Sequence, residues 1–192
     1  MSYFIQAGNL LIEFFFGAAV TLFLLRLLAE FWRAPFHNPV SQFVYRSTNP
    51  VLAPLRRVLR NLGRINLAAL VMALALELVK LALQMAFYGR FPHLGGWLLL
   101  GVGQLLDLFL LIYIVLVFVW SLASMLGGDP NHPLLRFVAQ ITEPTLLPLR
   151  RRMPTPGGID FSPAVALLVL FLLRILVAQP LIVPGMRLIQ GG

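Results

Sequence analysis

The sequence predicts an all-α membrane protein, with four transmembrane helices forming two parallel two-helix repeats, each with a basic amphipathic interfacial segment between its spans. Three observations lead there. Of 192 residues 59% are hydrophobic and only 11% are charged, and the mean hydropathy of +0.88 lies far from that of soluble domains. Four apolar runs are long enough to cross a hydrocarbon core of about 30 Å, which takes about 20 helical residues. Sliding the sequence on itself by 94 residues aligns Asn38–Lys80 with His132–Arg174 without a gap, matching Pro39/Pro133, Phe43/Phe137, Thr48/Thr142, Pro50/Pro144, Pro54/Pro148, Arg56/Arg150, Arg57/Arg151, Gly63/Gly157 and Ile65/Ile159. The two units are residues 1–90 and 91–192.

The first run, Gly8 to Phe31, reads as a retained span rather than a cleavable signal: Met1 to Gly8 carries no basic side chain and the run is too long. Asn38-Pro39 then forms an N-cap with proline at the first helical position, where a missing N–H costs nothing. After Pro50, Leu52, Leu55, Val58, Leu59 and Leu62 recur at helical spacing with Arg56, Arg57 and Arg60 between them. This predicts a short amphipathic helix lying in the interface, with its arginines on anionic lipid headgroups. The second span is Leu67 to Tyr88 and the third Gly96 to Leu126. In the second copy Pro144 and Pro148 start or bend the equivalent interfacial helix, Arg150, Arg151 and Arg152 hold it at the surface, and Gly157-Gly158 turns the chain. Asp160 is placed to cap the backbone around Ser162 or to meet an arginine or a partner. Ser162-Pro163 repeats the cap-plus-proline start, and the fourth span runs to about Val183.

Charge distribution sets orientation. Loops after the first and third spans hold Arg33, Arg46, Arg56, Arg57, Arg60, Arg64, Arg136 and Arg150 to Arg152, whereas the other side has little beyond Arg90 and Arg187. The positive-inside rule therefore predicts cytoplasmic basic loops and periplasmic termini. The 94-residue offset also pairs Glu13 with Asp107 and Lys80 with Arg174, giving each repeat an acid in its first span and a base in its second. Since an unpartnered charge in a membrane is expensive, Glu13 is expected near Lys80 and Asp107 near Arg174, each pair buried between two helices. Such pairs fix packing or line an ion or proton route. Glu77 could instead meet Lys80 within one helix at i, i+3.

Several chemistries are excluded. With no cysteine there is no thiolate nucleophile, disulfide or thiolate metal site. No phosphate-binding loop, dinucleotide fingerprint, zinc-protease helix or Ser-His-Asp set is present, so neither an enzyme nor a cofactor is expected. His37, His93 and His132 fall near span boundaries without metal-ligand spacing. The basic loops lack the interleaved aromatics of a single-strand binder, so lipid headgroups account for them better than nucleic acid does. Gly95-Gly96 and Gly101-x-Gly103 permit close helix contact.

The string PLRRRMPTPGGIDFSP, preceded by TEP, with TNPVLAPLRRVLRNLGRIN as a cruder upstream copy, resembles the YggT family of small membrane proteins, also called YlmG-like. The resemblance covers most of the chain and implies the duplicated four-span form. The first copy departs from it, having Arg64 and Asn66 where the second has Gly158 and Asp160. Relatives of this kind have been connected with osmotic and ionic tolerance, assembly of a haem-bearing cytochrome, nucleoid or division-site organisation and biogenesis of membrane complexes. The resemblance thus implies a non-enzymatic bacterial inner-membrane protein that supports other membrane complexes through a protein partner or a homo-oligomer. The alternative is an ion channel or transporter component in osmotic or ionic homeostasis, using Glu13, Lys80, Asp107 and Arg174.

Overall fold

With no water in the bilayer to satisfy backbone groups, a chain this apolar must close its hydrogen bonds within each segment, and helices do so. The computed structural model describes residues 3–35, 37–89, 93–129, 131–153 and 160–190. Its helices are α1 (Tyr3–Phe31), α2 (Pro39–Leu55), α3 (Leu67–Phe87), α4 (Leu94–Met125), α5 (Pro133–Arg152), α6 (Ser162–Leu173) and α7 (Gln179–Gln190), with a π-helical turn at Arg174–Ala178 joining the last two into one rod. α1, α3, α4 and the rod from Ser162 to Ile189 are the four spans. The chain is an all-α membrane protein built as two repeats. α1 starts before the expected Gly8 and the last span continues past Val183 to Ile189; α1, with 29 residues, is about 44 Å long, more than the hydrocarbon core requires.

Equivalent boundaries keep the 94-residue offset: α1 ends at Phe31 and α4 at Met125, while α2 begins at Pro39 and α5 at Pro133. α1 packs on α3, and α4 on α6–α7, with α3 against α4 joining the copies. Gly8 near the start of α1 faces Phe87 at the end of α3, and Gly96 of α4 faces Leu188 of α7. Neighbouring spans are therefore antiparallel and the two repeats parallel.

α2 and α5 pack together at the arginine-rich end. Asn38 caps α2 by accepting from Val40 N–H at 2.8 Å, and its Nδ2 donates to the Pro133 carbonyl at 2.6 Å, tying the two helix starts together. α2 does not restart at Pro50. It runs unbroken through Pro50 and Pro54, as α5 does through Pro144 and Pro148. Each proline withholds an N–H from the carbonyl four residues back. For Pro50 and Pro54 those carbonyls belong to Arg46 and Pro50, both exposed, so solvent or headgroups can take up the lost bonds. Two residues before Pro50 and Pro144, the buried hydroxyls of Thr48 and Thr142 donate back to Val44 and Val138 carbonyls at 2.7 and 2.9 Å. That back-bonding bends a helix and is the same device in both copies. The stretch expected to be helical as far as Leu62 ends at Leu55. There the chain passes through a turn in which Val58 and Leu62 are exposed and Gly63 takes φ +60, a conformation that opposes helix continuation.

The fourth span starts at Ser162 with Pro163 in its first turn, but Ser162 is not its side-chain cap; Asp160 accepts from Ser162 N–H at 2.9 Å instead. The turn expected at Gly157-Gly158 lies outside the described residues. Further along, Pro180 cannot donate to Leu176, and the ladder widens just before it, with Gln179 N–H reaching Arg174 five residues back.

The α4–α7 contact depends on glycines. A Cβ on Gly185 would stand 2.7 Å from Leu100 N, and one on Gly103 would stand 3.0 Å from Ile182 N; both meet backbone that cannot yield as a side chain does. Gly185→Ala is therefore expected to cost about 1–3 kcal/mol, lowering the unfolding midpoint in detergent. Gly17→Ala, whose Cβ would meet only Glu13 Oε1 at 3.8 Å, should leave it unchanged or raise it.

Candidate functional site

Polar chemistry gathers at two levels. The first lies inside the spans, where acids of both repeats, Glu13, Glu77 and Asp107, and Lys80 line one cleft of about 500 Å³, together with Gln84 and Gln104. Lys80 sits on the buried face of α3 and is shared between two carboxylates: its Nζ is 2.8 Å from Glu77 Oε1 and 3.4 Å from Glu13 Oε1. Gln84 Nε2 donates to the other Glu13 oxygen at 3.0 Å. In the second repeat Arg174 grips Asp107 with both forks, Nε to Oδ1 and Nη2 to Oδ2, each at 2.7 Å. Bidentate geometry of this kind is the strong form of a charge-assisted bond.

The arrangement corrects one detail of the sequence reading. Glu13 does meet Lys80, but its side chain is 59% exposed, and the buried partner is Glu77 at 1%. Glu77 lies one turn before Lys80 on the same helix, on the face that packs against α1 and α4. Glu13 is near the outer end of α1, where fewer neighbours cover it. The two repeats are therefore unequal: the first holds its base between two acids, the second pairs one to one.

The second level is the arginine-rich end. Arg150 Nε donates to Asp160 Oδ2 at 2.6 Å, and Asp160 Oδ1 accepts from Ser162 N–H, so one carboxylate caps the last span and clamps the end of α5. At the equivalent place in the first copy stands Asn66. Its Oδ1 caps α3 by accepting from Ala69 N–H at 3.1 Å, and its Nδ2 donates to Glu30 Oε2 at 2.8 Å. Glu30 Oε1 in turn takes Arg26 Nε at 2.7 Å and an ion pair from Arg56, the counterpart of Arg150. Asn66 offers the arginine no negative charge, and Glu30 from α1 supplies it. Arg57, Arg151 and Arg152 are exposed. Arg90, counted in the orientation argument, lies outside the described residues.

Arg26 and Glu30 were not singled out from the sequence. The available signal was their i, i+4 spacing in an otherwise apolar run, RLLAE, which marks an ion pair along a helix. Tyr113 was also passed over. Its hydroxyl donates to the Ile141 carbonyl at 2.9 Å and lies 2.5 Å from Thr145 Oγ1, fixing α5 on α4.

Burial alone would raise the Asp160 carboxyl, but hydrogen bonds from Ser162 and Arg150, with the Arg150 charge, outweigh it and hold the group below the ordinary aspartate value.

Comparison with known proteins places these features in a family. The CCB3/YggT family profile matches residues 5–87 and again 99–181. An uncharacterized protein of Pseudomonas aeruginosa is 36% identical over 162 residues, 82% of this chain and 81% of its own length. The uncharacterized protein YggT of Escherichia coli is 32% identical over 186 residues, 94% of this chain and 96% of its own. An uncharacterized protein of Vibrio alginolyticus is 32% identical, covering 85% and 87%. No solved structure matches significantly.

Two outcomes are expected. Asp107→Asn, which strands Arg174 within the span, should cost on the order of 3 kcal/mol, and adding Arg174→Gln should restore at least half, measured by unfolding in detergent. Glu13→Gln should cost less, because Lys80 keeps Glu77; an equal loss would show that Glu13 is the principal partner. As to pH, a depressed folded value means that Asp160 contributes its full stabilisation above the unfolded aspartate range and loses it as pH falls through the lower folded value. The midpoint difference between native protein and Asp160→Asn should therefore be constant near neutrality and shrink only in strong acid.

Proposed function

We propose that this chain, which belongs to the CCB3/YggT family, is a non-enzymatic protein of the bacterial inner membrane that holds or helps assemble other membrane proteins. In this reading the termini are periplasmic, the α2–α5 layer is cytoplasmic, and the layer's exposed arginines meet anionic headgroups and an acidic surface of the partner.

The observation that carries the reading is a filled core beneath the polar cleft. Between Glu13 and Arg26 on α1 lies about 20 Å of helix, and its inner face, with those of α3 and α4, supplies Val20, Leu24, Ala69, Ala73, Ile114 and Val117, all buried in one apolar cluster. Among the described residues, the buried side chains between the cleft and the arginine-rich end of a single copy are thus an apolar layer. The spans also keep most of their surface for lipid or for another protein: even the best-covered 18-residue windows, in α3 and α4, are only 33% buried.

A second reading rests on the cleft itself, which three carboxylates and Lys80 line within the membrane: an ion-conducting part in osmotic homeostasis, which would need a further copy or a partner to complete the path. Reconstitution separates the two. Purified protein in liposomes should show no potassium, sodium or proton flux above empty vesicles, whereas a robust flux abolished by Asp107→Asn would overturn the assembly role. Replacing exposed Arg57, Arg151 and Arg152 by Gln should deplete a specific copurifying membrane protein several-fold while leaving the chain's own unfolding midpoint unchanged.

A further inference from the structure

The arginine-rich end of the first repeat contains a cavity of about 770 Å³ between the end of α1, the body of α2 and the turn around Gly63. Five guanidiniums line it, those of Arg26, Arg33, Arg46, Arg56 and Arg64, against the single carboxylate of Glu30. That carboxylate is already occupied, with Arg26 and Arg56 on one oxygen and Asn66 on the other. Two of the remaining donors are buried without an acceptor. Arg26 is 1% exposed with its guanidinium stacked 3.4 Å from the centre of the Tyr45 ring, yet its Nη1 has no hydrogen-bond partner, and neither does the buried Nε of Arg56. A buried, charged donor left unpaired costs more than a neutral one, so the site is short of an anion.

The second repeat provides an internal comparison. At the 94-residue offset Arg26 corresponds to Trp120, Arg33 to Gly127, Arg46 to Gln140 and Arg64 to Gly158; only Arg56 has a basic counterpart, Arg150. The framework is duplicated and the charge is not. Position 33 is the most telling. Both first spans end in the same turn, with Ala34 N–H bonded to the Ala29 carbonyl at 2.7 Å and Gly128 N–H to the Ala123 carbonyl at 2.8 Å. That turn requires a left-handed residue, for which glycine suits best. The second copy has Gly127 at φ 69, whereas the first holds Arg33 at φ 53, a strained conformation for a residue with a Cβ. Folding does not call for an arginine there, but a polyanion site does.

We propose that this cavity binds a phosphate group, carried by an anionic phospholipid headgroup or by a free phosphate compound. Arginine forks match the tetrahedral oxygens of phosphate better than lysine or an amide would. Arg26 and Arg56 belong to the inner wall of the cavity, while the exposed Arg33, Arg46 and Arg64 gather the anion at the mouth. The site is independent of the docking role proposed above and stands if that role fails.

The test uses the full chain and replaces the mouth by the residues of the second repeat, Arg33→Gly, Arg46→Gln and Arg64→Gly together. These side chains are exposed, and glycine at 33 removes strain, so the unfolding midpoint without ligand should hold or rise. Inorganic pyrophosphate is titrated onto protein in neutral detergent, and protein is separately placed in phosphatidylcholine nanodiscs with or without phosphatidic acid. A rise in midpoint with pyrophosphate identifies a free phosphate compound as sufficient; a rise only with phosphatidic acid identifies the lipid headgroup. Either response should weaken about tenfold or more in the triple variant, whereas Arg57→Gln with Arg151→Gln and Arg152→Gln, all outside the cavity, should keep the pyrophosphate response within about twofold and weaken the phosphatidic acid response less than the triple variant does. No stabilisation by either probe would overturn the proposal. So would equal binding by the triple variant, or an equal loss in the Arg57, Arg151 and Arg152 control, which would mean diffuse surface charge.

Discussion

An ionised side chain cannot stand alone in a bilayer, and much of this structure follows from how each one is matched. Arg174 holds Asp107 across the contact between the third and fourth spans, and Lys80 bridges α3 to α1 through Glu13 while keeping Glu77 beside it. Within a repeat these pairs define which helix faces which, because apolar side chains find lipid as congenial as one another. Close packing then completes the fit where glycines let α7 lie against α4.

The same constraint explains how the two copies diverged without losing the fold. Each needs a side chain that caps the second span and a negative charge that receives the arginine ending the interfacial helix. In the second copy Asp160 performs both tasks. The first divides them between Asn66 and Glu30, which brings the end of α1 into the arrangement and with it the buried Arg26. The electrostatic centre thus lies in a loop in the second copy and at a span end in the first, and the cavity beside it is found in that copy's arginine-rich half.

The interfacial helices show a parallel economy. Pro50 and Pro144 would break an isolated helix, but α2 and α5 continue through them because the freed carbonyls of Arg46 and Gln140 are on exposed residues and threonine back-bonds take up the curvature. The two helices lie against each other, tied by Asn38 to Pro133, while Gln140 Nε2 ties α5 to the end of α1 at the Trp32 carbonyl, 3.1 Å away. A single layer results rather than two separate loops.

The sequence by itself determined the four spans, the duplication, the cap at Asn38 and the meeting of Asp107 with Arg174. Composition, a 94-residue self-match and the cost of intramembrane charge are all legible along one dimension. It did not determine where the helices around Pro50 and Pro144 would end, because a proline's effect depends on whether its orphaned carbonyl reaches water, and that is a property of the packed surface. It left open whether Lys80 pairs with Glu13 or with Glu77, and did not reveal that Arg26, Glu30, Arg56 and Asn66 form one cluster. Those residues are up to 40 positions apart, and only the pairing of α1 with α3 under α2 brings them within hydrogen-bonding distance. Tertiary structure decided which charges are buried, and burial is what separates a structural ion pair from a guanidinium still in need of an anion.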